Sequence, residues 1–146
     1  MTLRRLDTAV AYQKLRLMEK ILDDLDRLGE ITADRLLDEP IINYAVERML
    51  TQLVELASGI NTHISAAHGK VGNDYRQSFD MAADIGLISQ DLAMLLKPSA
   101  GMRNVLVHEY LTIDPAKVAK AAELARKQYR RYLSEAAQYL VKAQKR

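Results

Sequence analysis

The sequence predicts an all-α fold, an antiparallel bundle of three long and two or more short helices. Apolar residues recur at intervals of three and four along most of the chain, as they do on one face of a helix. Glycine, proline and capping residues stand where these segments end or begin. No segment alternates apolar and polar residues as a half-buried strand does. A length of 146 residues suits one domain, which we expect to span residues 1–146.

The first long helix is predicted from an apolar stripe that ends before Gly29, a residue suited to the left-handed turn after a helix. The stripe consists of Leu3, Leu6, Val10, Leu15, Met18, Ile21, Leu22, Leu25 and Leu28. Thr32 is placed to cap a short turn through Leu37. Pro40 then begins the second long helix, which we expect to end at Gly69.

The middle of the chain predicts one loop and shorter helices. The segment 69–74 contains two glycines and reads as the loop. A short helix follows and stops at Gly86, and Ser89 then caps a further apolar turn before Pro98. We expect residues 99–110 to form either a separate helix or the continuation of this one.

The last long helix has a clear start, with Asp114 as its cap and Pro115 as its first residue. Its apolar positions follow one another at intervals of three or four, which makes a nearly continuous seam. They are Val118, Ala122, Ala125, Tyr129, Tyr132, Ala136, Leu140 and Ala143.

A net charge of +2 hides an uneven distribution along the chain. Residues 1–114 carry 12 Lys/Arg against 17 Asp/Glu, a net of −5, whereas residues 115–146 carry 9 against 2, a net of +7. Arg126 with Arg130, and Lys127 with Arg131, form neighbouring rows on the last helix. These four residues are weak candidates for a polyanion contact; the charge pattern alone favours a solvent-exposed basic face.

Composition excludes several kinds of site. The absence of cysteine removes disulfides, thiolate zinc sites and cysteine nucleophiles. His63 and His68 are five residues apart, so they do not share a helical face and make a poor metal pair. We therefore expect no metal site and assign both histidines structural or surface roles. The N-terminal residues lack the apolar core of a signal sequence, and no stretch is apolar enough to span a membrane, so we expect a cytoplasmic protein.

The segment 102–110 combines polar residues that can do chemistry with an apolar centre. Arg103 and Asn104 precede three apolar residues, and His108 and Tyr110 follow them. Arg103 and His108 differ by about 140° and about 7.5 Å along an ideal helix, a separation that a long arginine can bridge. From spacing alone, a surface arginine, a hydrogen-bonded histidine and a packing tyrosine remain the simpler interpretation.

The same segment resembles the signature of HEPN-domain ribonuclease toxins, particularly the HepT-like group. The resemblance rests on Arg103, His108 and Tyr110 in the pattern RxxxxHxY, within RNVLVHEY. It extends to the helix order upstream and to the final amphipathic helix. The resemblance therefore covers nearly the whole chain and implies a HEPN-like helical domain.

The resemblance implies a metal-independent endoribonuclease that needs no cofactor. RNA carries its own nucleophile, the 2′-hydroxyl beside the scissile phosphate. His108 would transfer protons, because imidazole titrates near neutrality. Arg103 would stabilise the charge that develops on the phosphate, and Asn104 would orient the phosphate or the histidine. The implied product carries a 2′,3′-cyclic phosphate, and the basic last helix would help to hold the RNA.

The resemblance also implies partners. A homodimer would place two motifs at a shared cleft, and a nucleotidyltransferase antitoxin of the MNT type would silence the toxin by transferring AMP to Tyr110. The alternative is a non-catalytic module that binds a nucleotide or a nucleotidyltransferase. For Tyr110 the other interpretation is a packing aromatic at the edge of the bundle.

Overall fold

Six α-helices and one 3₁₀ turn make up the part of the chain that the computed structural model describes, residues 3–144 apart from the side chains of Leu6 and Tyr110. The helices are α1 (Arg5–Arg27), α2 (Ala33–Asp38), α3 (Pro40–Ala67), α4 (Tyr75–Asp84), α5 (Gln90–His108) and α6 (Pro115–Gln144), and the 3₁₀ turn is Tyr110–Thr112. No strand occurs within residues 3–144. The all-α prediction is confirmed.

The ends of α1, α2 and α5 lie at the glycine and capping residues that the sequence predicted. Gly29 follows α1 with a φ of 72°, in the left-handed region that glycine adopts without strain. The Thr32 hydroxyl accepts a hydrogen bond from the Arg35 amide at 3.1 Å and so caps α2. Ser89 caps α5 in the same way, accepting from the Leu92 amide at 3.3 Å.

Pro98 does not end its helix. The segment that Ser89 caps and the segment that carries the motif form the single helix α5, 19 residues long, with Pro98 inside it. Of the two alternatives for residues 99–110, continuation is therefore correct, and it gives the bundle a fourth long helix. The chain leaves α-helical geometry after His108, two residues earlier than expected, and passes through the 3₁₀ turn into α6.

The helices pack around one core that α6 crosses. α1 packs against α3 and α6, and α4 packs against α3 and α5. The predicted seam of α6 is buried through Leu140, so it supplies bundle core. At its centre the Tyr132 hydroxyl donates to Asn61 Oδ1 at 2.6 Å, and the Tyr129 hydroxyl shares a hydrogen bond of 2.7 Å with Ser99. These bonds satisfy buried phenols that would otherwise destabilise the core.

Along residues 3–144, each helix is either too short or too polar to cross a lipid bilayer.

Candidate active site

Arg103, Asn104 and His108 of the predicted motif lie on the last two turns of α5. Arg103 stands five residues before His108, which is the last residue of the helix. The Glu109 amide closes this end by donating to the Val105 carbonyl at 2.9 Å. Asn104 and His108 are exposed, whereas Arg103 is largely covered. One unbroken helix therefore fixes the spacing between the arginine and the histidine.

Arg103 is held from two other helices. Its side chain is only 15% exposed, and Nη2 donates to Glu55 Oε1 on α3 at 3.3 Å. Its guanidinium carbon lies 4.5 Å from the centre of the Tyr75 ring on α4, the geometry of a cation–π contact. Nη1 donates to Asn104 Oδ1 at 3.3 Å. The guanidinium thus has an aromatic surface on one face and a carboxylate at one edge.

The Arg103 guanidinium retains unused hydrogen-bonding capacity. An arginine offers five N–H donors, and the two bonds described for Arg103 are both long. Its Nε is buried and has no hydrogen-bond partner among the described residues. A buried donor without an acceptor is unfavourable by about 1–3 kcal/mol. Because Nε is closed to solvent, a phosphate at Arg103 would have to use the remaining N–H donors of Nη1 and Nη2, which a planar guanidinium presents side by side.

His108 is accessible, and none of the side chains that the structure describes holds its ring in place. It is exposed at the C-terminal end of α5, and no hydrogen bond is formed by its ring within residues 3–144. The imidazole ring is therefore accessible to a molecule that binds from solvent.

Tyr110 begins the 3₁₀ turn after α5, and its side chain lies outside the described residues. The turn is closed by the Thr112 amide, which donates to the Glu109 carbonyl at 3.0 Å. Leu111 beside it is 86% exposed, so this turn lies at the surface. Asp114 then begins α6 as predicted, its carboxylate accepting from the Ala116 amide at 3.0 Å.

Sequence reasoning missed Glu55 and Tyr75. They stand 48 and 28 residues before Arg103, on different helices. No fixed spacing relates residues on separate helices, so a motif search within one segment cannot find them. Knowledge of which turns of α3 and α4 face α5 is the signal that would have been needed.

An apolar groove of 490 Å³ adjoins Arg103 between α3, α5 and α6. Lys117 and Lys120 on α6 also line it. Met94 on its wall is 73% exposed and Leu124 is 42% exposed. The apolar lining consists mainly of Leu50, Val54, Met94, Leu95, Pro98, Met102 and Leu124. An apolar groove left open beside a polar site is a candidate surface for binding a partner.

The remaining histidines have partners within the bundle. His63 Nε2 lies 2.7 Å from a carboxylate oxygen of Asp7, which is buried. His68 contacts the Ile64 carbonyl through Nδ1 at 3.0 Å and the Tyr139 hydroxyl through Nε2 at 3.2 Å. Within residues 3–144, no three His, Cys, Asp or Glu side chains are grouped to hold a metal ion.

Three of the four basic candidates on α6 are engaged in contacts within the chain. Arg130 pairs with Asp23 at 2.7 Å and with Asp26 at 3.0 Å, both on α1. Arg131 pairs with Asp91 at 2.8 Å and Glu135 at 2.7 Å.

Arg126 donates to the carbonyls of Leu25, at 2.9 Å, and Gly29 at the end of α1. Lys127 is exposed. The arginines therefore join α6 to its neighbours, and Lys127 is the member most available to a polyanion.

Comparison with known proteins gives a consistent result. The family described as HepT-like ribonuclease matches residues 18–136. The chain is 32% identical over 139 residues to the tRNA nuclease HepT of Aphanizomenon flos-aquae, with 93% of each protein covered.

Two solved structures share the fold. The tri-AMPylated HEPN toxin of Shewanella oneidensis in complex with MNT antitoxin has a TM-score of 0.79 at 19% identity, over 88% of this chain and 97% of that one. The cytosolic protein YutE of Bacillus subtilis, of unknown function, has a TM-score of 0.82 at 16% identity, over 97% and 94%.

The matched region includes the whole of α5 and therefore Arg103 and His108. Family match, sequence identity along nearly the full chain and shared fold agree with the resemblance that the motif suggested. The chain belongs to the HepT-like ribonuclease family.

Proposed function

We propose that this chain is the toxin of a HEPN/MNT toxin–antitoxin system, a metal-independent endoribonuclease that uses Arg103 and His108. The observation that carries the proposal is the Arg103 guanidinium, covered and underused as a donor, on the same helix as an accessible histidine. The tRNA nuclease of Aphanizomenon flos-aquae, which is similar over 93% of the chain, supports RNA as the substrate class.

In the proposed reaction the 2′-oxygen of RNA attacks the adjacent phosphorus while the bond from phosphorus to the 5′-oxygen breaks. The products are a 2′,3′-cyclic phosphate and a free 5′-hydroxyl. One proton leaves the 2′-hydroxyl and one is added to the 5′-oxygen, and the His108 imidazole serves in at least one of these transfers. Arg103 donates to the phosphate oxygens as their charge increases, with Asn104 beside it.

The proposed enzyme is a homodimer. The reaction needs two proton transfers, but each chain supplies only one His108. A second copy of the chain would add a second histidine. The groove beside Arg103 supports this assembly, because its exposed apolar lining suits burial against a second chain.

Silencing is proposed to occur at Tyr110, by AMP transfer from a cognate MNT nucleotidyltransferase. The tri-AMPylated Shewanella oneidensis toxin, solved with its MNT antitoxin, supports this step. The position of Tyr110 in an exposed turn two residues after His108 supports it as well, since an adenylate there would repel RNA phosphates. The basic residues Arg126, Lys127, Arg130 and Arg131 remain proposed RNA contacts, with Lys127 the most available.

A cleavage assay on RNA in excess EDTA tests the nuclease. The wild-type chain should cut RNA and leave cyclic phosphate ends, and Arg103→Lys should be strongly impaired because lysine lacks the planar fork. Cleavage that requires added metal would contradict the mechanism. Binding of RNA or nucleotide without any cleavage would instead favour the non-catalytic module.

Intact mass and peptide mapping test the silencing. Treatment with the partner nucleotidyltransferase, ATP and Mg²⁺ should add adenylate to the peptide that contains Tyr110. Tyr110→Phe keeps the ring, so it should fold, escape modification and stay toxic in the presence of the partner. Adenylate on a different tyrosine, or neutralisation of an unmodified wild-type chain, would refute this assignment.

A further inference from the structure

We infer that Glu55 and Tyr75 are positioning residues, which hold the Arg103 guanidinium in the orientation that an RNA phosphate requires. The catalytic part of this inference rests on the proposed ribonuclease function. Neither residue belongs to the motif, and each acts only through Arg103.

The two contacts constrain different parts of the guanidinium. Tyr75 is the first residue of α4, and its ring lies 4.5 Å from the guanidinium carbon, so it supports the guanidinium on one side and restricts its tilting. Glu55 on α3 accepts from Nη2 at 3.3 Å, which limits rotation within that plane. Together they restrict the tilt and the rotation of the guanidinium from two helices that do not carry the motif.

This constraint matters because arginine is long and flexible. Its planar fork binds phosphate through paired donors only when the plane and its edges are correctly oriented. Electrostatic catalysis is strongest when donors are oriented before the reaction begins. Asn104 alone does not provide this, because it is exposed and adjacent to Arg103 on the same helix.

Glu55 acts as an anchor for the guanidinium and not as a block to phosphate. A blocking carboxylate would take two parallel hydrogen bonds and occupy the fork, whereas Glu55 makes one long bond to Nη2. The Glu55 side chain is 36% exposed, so the pair adds little to the stability of the fold. An anchoring role and a blocking role predict opposite changes in kcat when the charge of Glu55 is removed.

The experiment compares Glu55→Gln with Glu47→Gln in the full chain. Glu47 lies two turns earlier on α3, hydrogen-bonded to Asn43, and serves as the matched control. With RNA in EDTA, Glu55→Gln should lower kcat by about 10- to 100-fold, the effect of a misoriented catalytic group, and change KM much less. Glu47→Gln should match the wild type.

A second pair of variants tests the aromatic contact. Tyr75→Leu should lower kcat in the same way, and Tyr75→Phe, which keeps the ring, should recover most of the loss. An increase in kcat or a fall in KM for Glu55→Gln would show that the carboxylate blocks the site, and would overturn the inference.

A measurement without catalysis separates the two proposals. In ¹H–¹⁵N spectra, the Nε–H signal of Arg103 should be shifted upfield by the Tyr75 ring. Tyr75→Leu should remove this shift, and Glu55→Gln should reduce it as the guanidinium gains freedom. A wild-type chain that does not cleave RNA overturns the proposed function alone, whereas an Arg103 signal unchanged in both variants overturns the positioning role.

Discussion

At the scale of single residues, Arg103 and His108 differ in how firmly their side chains are held. Arg103 is 15% exposed and contacts residues of α3 and α4, whereas His108 is exposed. The group that we propose to bind phosphate is therefore held by other helices before substrate arrives. In the proposed enzyme, His108 would be oriented by contacts with RNA or with the second chain.

Replacing His108 separates activity from stability. We expect His108→Ala to lower RNA cleavage by 10²–10⁴-fold, the usual loss for an acid–base group. Its unfolding temperature should stay close to that of the wild type, because the exposed side chain supports no packing. Cleavage rates and thermal unfolding curves measure the two quantities.

His63→Ala is the matched control, with the opposite expectation. It removes the 2.7 Å contact with Asp7 and should lower stability while cleavage continues. A folded His108→Ala chain that cuts RNA at the wild-type rate would remove His108 from the mechanism.

Asp7 makes the stability of the bundle depend on pH. Burial opposes its ionisation, but the hydrogen bond and charge of Arg4 and the charge of His63 outweigh this effect, so the pKa of Asp7 is lowered. A lowered pKa stabilises the folded state above the ordinary value of 3.8, and this stabilisation is lost as pH falls through the folded pKa. Asp7→Asn should therefore reduce the free energy of unfolding by about 1–3 kcal/mol at pH 7.

Urea unfolding at pH 7 and pH 3 measures this effect. The difference between wild type and Asp7→Asn should shrink at the lower pH. Asp24→Asn removes an exposed ion pair with Arg27 at 3.5 Å and should cost less than about 1 kcal/mol. A deficit for Asp7→Asn that is equally large at pH 3 would mean that packing, and not charge, explains it.

Sequence reasoning reached only the local part of the site. Arg103, Asn104 and His108 fall within six residues of one helix, so a motif could indicate them. Glu55 and Tyr75 come to Arg103 through the packing of α3 and α4 on α5, which no local pattern encodes. Whether the motif residues act as proposed is a separate question that the variants address.

At the scale of helices, the capping residues and the prolines that begin α3 and α6 marked boundaries, whereas Pro98 did not. Gly29, Thr32 and Ser89 act through bonds to their immediate neighbours, so their effect is visible in sequence. Pro98 removes one helical hydrogen bond, but burial of Leu96 and Ala100 beside it keeps both halves of α5 against the core. The balance between these effects is tertiary, which is why the sequence left continuation open.

The cations of α6 differ in their surroundings, so we expect them to differ in their roles. Arg130→Gln removes pairs with Asp23 and Asp26 and should cost up to about 1 kcal/mol, since these pairs are partly exposed. Lys127→Gln should leave stability unchanged and weaken binding of every RNA sequence to a similar extent. Unfolding curves and binding measured against salt concentration distinguish these effects.

The slope of log affinity against log salt should become shallower by about 1 for Lys127→Gln, as for the loss of one phosphate contact. An unchanged slope would assign Lys127 to the solvated surface instead.

At the scale of the whole molecule, the groove beside Arg103 is the place where the proposed dimer and the proposed activity can be tested together. Leu124→Glu places a charge on its wall, which is apolar and open. We expect this variant to shift the protein from dimer to monomer in sedimentation experiments and to lower cleavage in parallel.

Gln138→Glu, fourteen residues further along α6 at an exposed position outside the groove, is the control for the added charge. A fully dimeric Leu124→Glu protein would place the interface on another face of the bundle.

The buried tyrosines of α6 have a spectroscopic consequence. The chain contains seven tyrosines and no tryptophan, so tyrosine dominates its near-ultraviolet absorbance. Burial raises the pKa of Tyr129 and of Tyr132, and both lie in the centre of the core. In an alkaline titration at 295 nm these two phenols should remain silent until the bundle unfolds. A nucleotidyltransferase could not reach these two hydroxyls in the folded protein. The native fold therefore reduces the number of tyrosines that could accept AMP.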